Sequence, residues 1–265
     1  MLIIGERINT SRKRIGEAVA AMDEEFVRRT VSEQVEAGAH MIDVNCGTLI
    51  DREPEVLEWL VRIAQDEAKV PLCLDSPNPA ALERALAVHQ GKPMINSISL
   101  EADRYKKILP LLKAHNACVT ALCMDDKGMP ETAEDGFAVA SELARRLMDE
   151  GVPGENIFLD PLVRPIGADS RSGKLFLDLT RRIAEELPDV QVICGISNVS
   201  YGLPLRKHLN HAFLVMAIAA GLDAVILDPL DKKIMSLAYA APALVGRDEF
   251  CAQYLEAHRA GRLEP

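Results

Sequence analysis

Residues 71–79, Pro-Leu-Cys-Leu-Asp-Ser-Pro-Asn-Pro, contain the pattern that decides the fold of this chain. The run Pro71–Leu74 has the short, continuous apolar character of a parallel strand that is covered on both faces. Asp75 ends the run, and Asn78-Pro79 then supplies a helix cap and a proline at the first helical position. The stretch therefore predicts a buried strand, a polar residue at its carboxyl end and a helix that follows.

The same pattern occurs eight times along the chain, at intervals of roughly 20 to 40 residues, the length of one βα unit. The apolar runs, each with the polar residue that ends it, are Leu2–Gly5 with Glu6, Met41–Val44 with Asn45, Pro71–Leu74 with Asp75, Pro93–Ile95 with Asn96, Cys118–Met124 with Asp125, Ile157–Leu159 with Asp160, Gln191–Ile196 with Ser197, and Ala224–Leu227 with Asp228. Eight such units predict an α/β fold, a (β/α)8 TIM barrel whose chemistry lies where the strands end.

Length and composition indicate one domain over residues 1–265. A chain of 265 residues suits a barrel of about 250 residues, and no linker rich in Pro, Gly or Ser interrupts the units. The net charge of -10 argues against a nucleic-acid partner, because phosphate binding requires a basic surface. The sequence shows no membrane-spanning run, no signal peptide and no C-x-x-C pair among its six cysteines. We therefore expect a cytoplasmic protein with reduced cysteines and no membrane association.

Two helical segments have apolar stripes that we expect to face the barrel. The predicted stripe of residues 54–69 contains Val56, Leu57, Leu60, Val61, Ile63 and Ala64. The predicted stripe of residues 205–220 contains Leu209, Ala212, Phe213, Met216, Ala217 and Ala220.

Three of the strand-end residues form the strongest candidate binding site. Asp75, Asn96 and Asp160 end the third, fourth and sixth runs, so the barrel would bring them to a shared mouth. A carboxylate accepts two parallel N–H donors and therefore matches the amino-pyrimidinone edge of a pterin or guanine, while an amide can read the adjacent ring N and O. The alternative is that each residue simply caps the next helix. The three together favour binding of a flat heterocycle.

Asn198 is the candidate for contact with a reacting nitrogen. It follows the seventh run in Gly195-Ile196-Ser197-Asn198, a region where many barrels bind anions or cofactors. By exchanging its O and N ends, an amide can hydrogen-bond an amine nitrogen in either protonation state. The alternative is an ordinary turn residue. For Asp228, which ends the eighth run, a functional and a structural role stay equally open.

No metal site is predicted. His208 and His211 lie three residues apart on a helix but have no third ligand, so a surface helix is the preferred interpretation. The pair Asp125-Asp126 is typical of a solvated turn. No lysine ends a strand, which argues against Schiff-base chemistry.

The chain resembles the methyltetrahydrofolate:corrinoid protein methyltransferases, a family of pterin-binding barrels that includes the folate module of methionine synthase. The similarity runs along the whole chain, and its specificity comes from several short motifs in the same order. These motifs are Ile3–Asn9, Ile42–Gly47, Asp75–Pro79, Pro93–Ile98, Asp160–Leu162 and Ser197–Pro204.

The resemblance implies a homodimeric barrel that binds tetrahydrofolate or 5-methyltetrahydrofolate as substrate. Asp75, Asn96 and Asp160 would hold the pterin ring, and Asn198 would contact N5 and act as the catalytic residue. The remaining expected contacts are Gly195 and Ser197 in the same pocket and Arg206 or Lys207 at the carboxylates of the folate tail.

The reaction implied by the resemblance moves a methyl group between N5 of tetrahydrofolate and the cobalt of a corrinoid (cobalamin) carried by a partner protein. The direction is open. Dihydropteroate synthase shares this fold, but its basic signature after the last strand is missing here, where Asp228-Pro229-Leu230-Asp231 stands. A synthase-like pterin enzyme and a non-catalytic folate-binding subunit are the alternatives.

Overall fold

The computed structural model describes residues 1–264 and contains a closed barrel of eight parallel strands in sequential order. Pro265, the last residue of the predicted domain, lies outside the described residues. The strands are β1 (Leu2–Asn9), β2 (Met41–Asn45), β3 (Leu72–Asp75), β4 (Met94–Ile98), β5 (Cys118–Leu122), β6 (Ile157–Asp160), β7 (Gln191–Gly195) and β8 (Ala224–Leu227). Parallel pairing of β1 with β8, from Leu2 opposite Ala224 to Gly5 opposite Leu227, closes the barrel. The predicted (β/α)8 architecture is confirmed.

Helices cover the outside of the barrel. They are α1 (Lys13–Ala20), α2 (Glu24–Glu36), α3 (Glu53–Glu67), α4 (Pro79–Val88), α5 (Ala102–Ala114), α6 (Ala133–Asp149), α7 (Ser172–Glu186), α8 (Arg206–Ala220), α9 (Lys232–Leu244) and α10 (Ala252–Arg259). The sequence signals at the start of α4 act as expected, since the Asn78 side chain accepts a hydrogen bond from the Ala80 N–H and Pro79 is the first helical residue. None of the helices in residues 1–264 combines the length and the apolar character that crossing a membrane requires.

The predicted apolar stripe is right for α3 and wrong for part of α8. All six stripe residues of α3 are buried. In α8, however, His211, Leu214 and Ile218 face inward, while Ala212 and Met216 are exposed. This helix has apolar residues around most of its circumference, so its periodicity does not distinguish the face that packs against the barrel.

Glycines after two helices differ in what surrounds them. Gly151 and Gly221 both adopt positive φ, at 86° and 116°, as residues that end helices commonly do. A Cβ on Gly221 would lie 2.6 Å from Cβ of Ala184, whereas a Cβ on Gly151 would have no neighbour within 4 Å. Gly221 therefore serves both the turn and the close packing of α8 against α7.

We expect Gly221→Ala to lower the free energy of unfolding by about 2–4 kcal/mol, because the left-handed backbone cost of about 1–2 kcal/mol adds to the cost of displacing α7. Gly151→Ala is the matched control, and its free energy of unfolding should fall by the backbone cost alone. Urea denaturation measures both values. Equal losses for the two variants would contradict the packing role of Gly221.

Candidate active site

The interior of the barrel is apolar towards the amino ends of the strands, the lower side, and polar towards their carboxyl ends, the upper side. The lower layer consists of buried side chains from seven of the eight strands, namely Ile4, Met41, Cys73, Met94, Phe158, Ile193 and Ala224. Side chains alternate along a strand, so the residues two positions further on point inward as well. Those residues are Glu6, Asp43, Asp75, Asn96, Asp160, Gly195 and Ile226. Ile226 packs on the apolar layer, and Asp43 is level with Cys73 in the β2–β3 register. Glu6, Asp75, Asn96 and Asp160 therefore form a polar ring above the apolar layer.

Asp75 and Asn96 lie side by side in this ring. They are partners in the β3–β4 register, and Asn45 on β2 donates a hydrogen bond from Nδ2 to Oδ2 of Asp75 at 2.7 Å. Burial raises the pKa of Asp75, while the Asn45 hydrogen bond and the charge of Arg104 oppose that rise. Asn45 thus fixes one oxygen of the Asp75 carboxyl within the ring.

Arg104 stabilises the loops that hold these two residues. Its guanidinium donates hydrogen bonds to the carbonyl oxygens of Ser97 at 2.9 Å, Pro77 at 2.7 Å and Ser76 at 3.0 Å. The arginine therefore connects the turn after β3 to the turn after β4. No local sequence pattern indicates this contact, because it joins residues from two separate βα units.

Asp160 is the most strongly desolvated carboxyl at the upper edge. Only 9% of its surface is exposed, and burial raises its pKa to about 7, although the Leu162 N–H donates to Oδ1 at 2.8 Å. No arginine or lysine contributes to this pKa. A bound molecule that presents N–H donors would therefore compensate a charge that the protein leaves largely uncompensated.

Asp43 lies below the ring and was not singled out from the sequence. It is 3% exposed, and Oδ1 has no hydrogen-bond partner among the described residues. Burial and the neighbouring Asp75 carboxyl raise its pKa well above the ordinary range. A carboxyl in the middle of the apolar run Met41–Val44, two residues before Asn45, was the signal that could have identified it.

The loop after β7 brings Asn198 to the mouth. A 3-10 turn over Ile196–Ser200 follows Gly195, and Asn198 is exposed. A Cβ on Gly195 would lie 3.2 Å from Nδ2 of Asn198, so the glycine gives the amide room against the end of β7. Ser197 donates to Oε2 of Glu6 at 3.3 Å and so connects this loop to β1.

The two predicted tail residues have partners within the protein. Arg206 donates to Oγ of Ser200 at 3.0 Å and to the Ser197 carbonyl oxygen at 2.6 Å, so part of its guanidinium holds the β7 loop. Lys207 forms an ion pair with Asp231 at 3.0 Å but remains 75% exposed. Contact of either residue with a folate tail stays a prediction.

An arginine–carboxylate cluster closes the side of the mouth between β8 and β1. Asp228 accepts from Nη1 of Arg7 at 3.0 Å and from Nη1 of Arg12 at 3.1 Å, while Arg12 also pairs with Glu6 at 2.6 Å. Burial raises the pKa of Glu6, and Arg12 opposes the rise. Of the two roles left open for Asp228, these contacts favour the structural one.

The histidine and aspartate pairs considered as ligands have other contacts. His211 lies 3.1 Å from Asp231, and Asp125 accepts from the Lys127 N–H at 2.8 Å within its turn. Within residues 1–264, no three His, Cys, Asp or Glu side chains are arranged to hold a metal ion.

A closed parallel barrel with a polar mouth is characteristic of barrel enzymes, whose active sites lie at the carboxyl ends of the strands. The family described as pterin binding enzyme matches residues 5–228, and the chain belongs to that family. A methylcorrinoid:tetrahydrofolate methyltransferase from Eubacterium limosum is 32% identical over 267 residues, which cover 100% of this chain and 98% of that protein. This confirms the family resemblance drawn from the motifs.

The chain is also similar to one part of a longer enzyme and, in fold, to a solved structure. A methionine synthase from Mycobacterium tuberculosis is 31% identical over 240 residues, 85% of this chain and 20% of that protein, so the chain spans about a fifth of its length. Dihydropteroate synthase from Xanthomonas albilineans with 4-aminobenzoic acid has a TM-score of 0.70 at 19% identity and 92% coverage of both chains. At 19% identity, the similarity to dihydropteroate synthase shows a shared fold and nothing more.

We expect the stability of the unliganded protein to depend on Asp160 between pH 4 and 7. Its folded pKa of about 7 exceeds the ordinary 3.8, so the folded state binds more protons and loses stability as pH rises through this window. The variant Asp160→Asn keeps an oxygen for the Leu162 N–H. As the pH rises from 5 to 8, its free energy of unfolding should increase by up to about 3 kcal/mol relative to that of the native protein.

Urea unfolding at the two pH values measures this difference. Asp169→Asn is the control, because hydrogen bonds from Arg171 lower the pKa of Asp169, in contrast to the raised pKa of Asp160. Its effect on stability should be the same at pH 5 and pH 8. The same constancy for Asp160→Asn would contradict the burial argument.

Proposed function

We propose that this chain, as one pterin-binding domain over residues 1–265, transfers a methyl group between N5 of tetrahydrofolate and the cobalt of a corrinoid on a partner protein. The observation that carries the proposal is the convergence of Asp75, Asn96 and Asp160 with the Asn198 loop on one barrel mouth. The similarity to the Eubacterium limosum methyltransferase over nearly its full length supports the same reaction.

The carboxylates and the amide select the pterin ring. In this proposal Asp160 and Asp75 accept N–H donors from the amino-pyrimidinone edge, and Asn96 binds the adjacent ring atoms. The elevated pKa of Asp160 makes this recognition sensitive to its protonation, because the protonated acid loses one acceptor site. Gly195 and Ser197 line the side of the ring near β7.

Asn198 acts where charge changes on N5. Toward folate, the N5 electron pair forms the bond to the methyl carbon, the electron pair of the cobalt–carbon bond stays on cobalt as Co(I), and the N5 proton leaves to solvent. Toward the corrinoid, N5 takes up a proton from solvent, Co(I) attacks the methyl carbon, and the electron pair of the carbon–nitrogen bond stays on N5, which leaves as a neutral amine. In both directions positive charge develops on N5 in the transition state, and the Asn198 amide oxygen stabilises it.

The proposal also includes the cellular location and the oligomeric state of the protein. We propose a cytoplasmic homodimer, supported by the reduced cysteines Cys46, Cys73, Cys123 and Cys194 in the interior and by exposed apolar side chains such as Leu244 and Phe250. Light scattering tests the dimer. The partner that carries the corrinoid determines the physiological direction.

The direct test mixes the protein anaerobically with tetrahydrofolate and methylcobalamin and follows the cobalt spectrum. We expect loss of the methylcobalamin absorption, appearance of Co(I) and formation of 5-methyltetrahydrofolate. An unchanged spectrum with intact folate binding would favour a non-catalytic subunit. Coupling of a pterin diphosphate to p-aminobenzoate, without methyl transfer, would favour a synthase.

Asn198→Ala should lower turnover in that assay about 10²-fold, as loss of one preorganised hydrogen-bond partner does, while the dissociation constant for tetrahydrofolate changes little. Asn198→Asp, which still offers an oxygen to N5, should retain more activity. Asp75→Ala is the contrasting variant, since it should raise the dissociation constant measured by calorimetry. Unchanged turnover of Asn198→Ala would remove this residue from the reaction.

A further inference from the structure

The rim over β7, β8 and β1 has a positively charged edge that extends beyond the two residues predicted to contact the folate tail. Three helices start there, and each begins with two basic residues. We call these six residues the basic arc: Arg206 and Lys207 of α8, Lys232 and Lys233 of α9, and Lys13 and Arg14 of α1.

The basic arc is continuous around this part of the mouth. Strand β8 pairs with both β7 and β1, so the three helices follow neighbouring strands. Lys207 pairs with Asp231 just before α9, and Arg12 pairs with Asp228 at the end of β8. These contacts connect the starts of α8, α9 and α1 to one another.

The charges of the basic arc oppose the local electrostatics of the helices. A helix N-terminus carries partial positive charge and favours acidic residues, as in α2 with Glu24 and Glu25. The first turns of α1, α8 and α9 contain no acid.

Most of this positive charge also lacks a partner within the chain. Lys13, Arg14, Lys232 and Lys233 are exposed, and within residues 1–264 none has a carboxylate oxygen within 4.0 Å. In a chain of net charge -10, these four side chains give the edge positive charge that no ion pair within residues 1–264 compensates, which is the signature of a surface for an external anion.

Two large apolar side chains accompany the basic arc. Tyr201 is 69% exposed and Leu205 is 77% exposed, and both precede Arg206. Leu205 adopts a left-handed backbone conformation with φ 48° and ψ 41°, which is costly for a residue other than glycine. Exposed aromatic and aliphatic groups beside arginine are typical of the centre of a protein–protein interface.

We propose that the basic arc, with Tyr201 and Leu205, docks an acidic face of the protein that carries the corrinoid. This rests on the proposed methyl transfer, in which the partner must bring its cobalt to the barrel mouth. The remainder of this acidic chain repels an acidic partner, so the basic arc steers the encounter and orients the partner over the β7–β1 side.

Defined probes test the charge complementarity. Methylcobalamin is linked through its ribose to a ten-residue glutamate peptide or to a ten-residue serine peptide, and each conjugate is assayed with tetrahydrofolate. At low ionic strength, kcat/KM for the glutamate conjugate should exceed that for the serine conjugate by about tenfold or more. The advantage should disappear in 0.5 M salt, a concentration far above that at which surface charges are screened.

Charge-reversal variants locate the effect. Lys232→Glu with Lys233→Glu should remove the glutamate advantage and leave the rate with plain methylcobalamin unchanged. The matched control is Lys106→Glu with Lys107→Glu, two exposed lysines on α5 across the barrel, which should keep the advantage. The melting temperature of the α9 variant should be equal or higher, because acids suit a helix N-terminus.

The outcomes separate the docking proposal from the proposed function. No reaction with plain methylcobalamin would overturn the methyl transfer itself. Reaction with plain methylcobalamin but equal rates for the two conjugates would overturn the docking proposal alone. A lower melting temperature of the α9 variant, or weaker binding of triglutamyl tetrahydrofolate with no effect on the conjugates, would assign the lysines to structure or to the folate tail instead.

Discussion

The alternation of side chains along eight strands that must close into one ring is the constraint from which the site follows. Because β1 pairs with both β2 and β8, every strand ends at the same rim. In β1, β4 and β6 the same alternation that buries Ile4, Met94 and Phe158 in the lower barrel brings Glu6, Asn96 and Asp160 inward two positions later. The apolar layer excludes water from below, so the polar layer forms the floor of a cup and is open only at the mouth.

This arrangement concentrates carboxyls where solvation is poor. Asp43, Asp75 and Asp160 all have raised pKa values, and burial is the largest cause in each case. Their opposing partners are few and specific: Asn45 and Arg104 for Asp75, and one backbone N–H for Asp160. In the proposed complex, the N–H donors of a pterin ring supply hydrogen bonds that the protein itself does not. The proposal thereby makes ring binding and compensation of buried charge the same event.

The sequence predicted those parts of the site that depend on position within a strand. Asp75, Asn96 and Asp160 each end an apolar run, and a parallel barrel converts that position directly into a place on the rim. It did not predict contacts that arise only when the ring closes. Arg7 and Asp228 are 221 residues apart, and no local pattern indicates that they pair. The packed face of α8 was also missed, because a helix that is apolar on several sides leaves the choice to its neighbours.

A crystal structure of the protein with bound tetrahydrofolate is the decisive measurement for the polar ring as a pterin site. We expect the pterin ring in the mouth of the barrel, with its amino-pyrimidinone edge on Asp75 and Asp160, its neighbouring ring atoms on Asn96, and N5 facing the Asn198 amide. A ring bound outside the barrel mouth, or bound there with N5 turned away from the β7 loop, would contradict it.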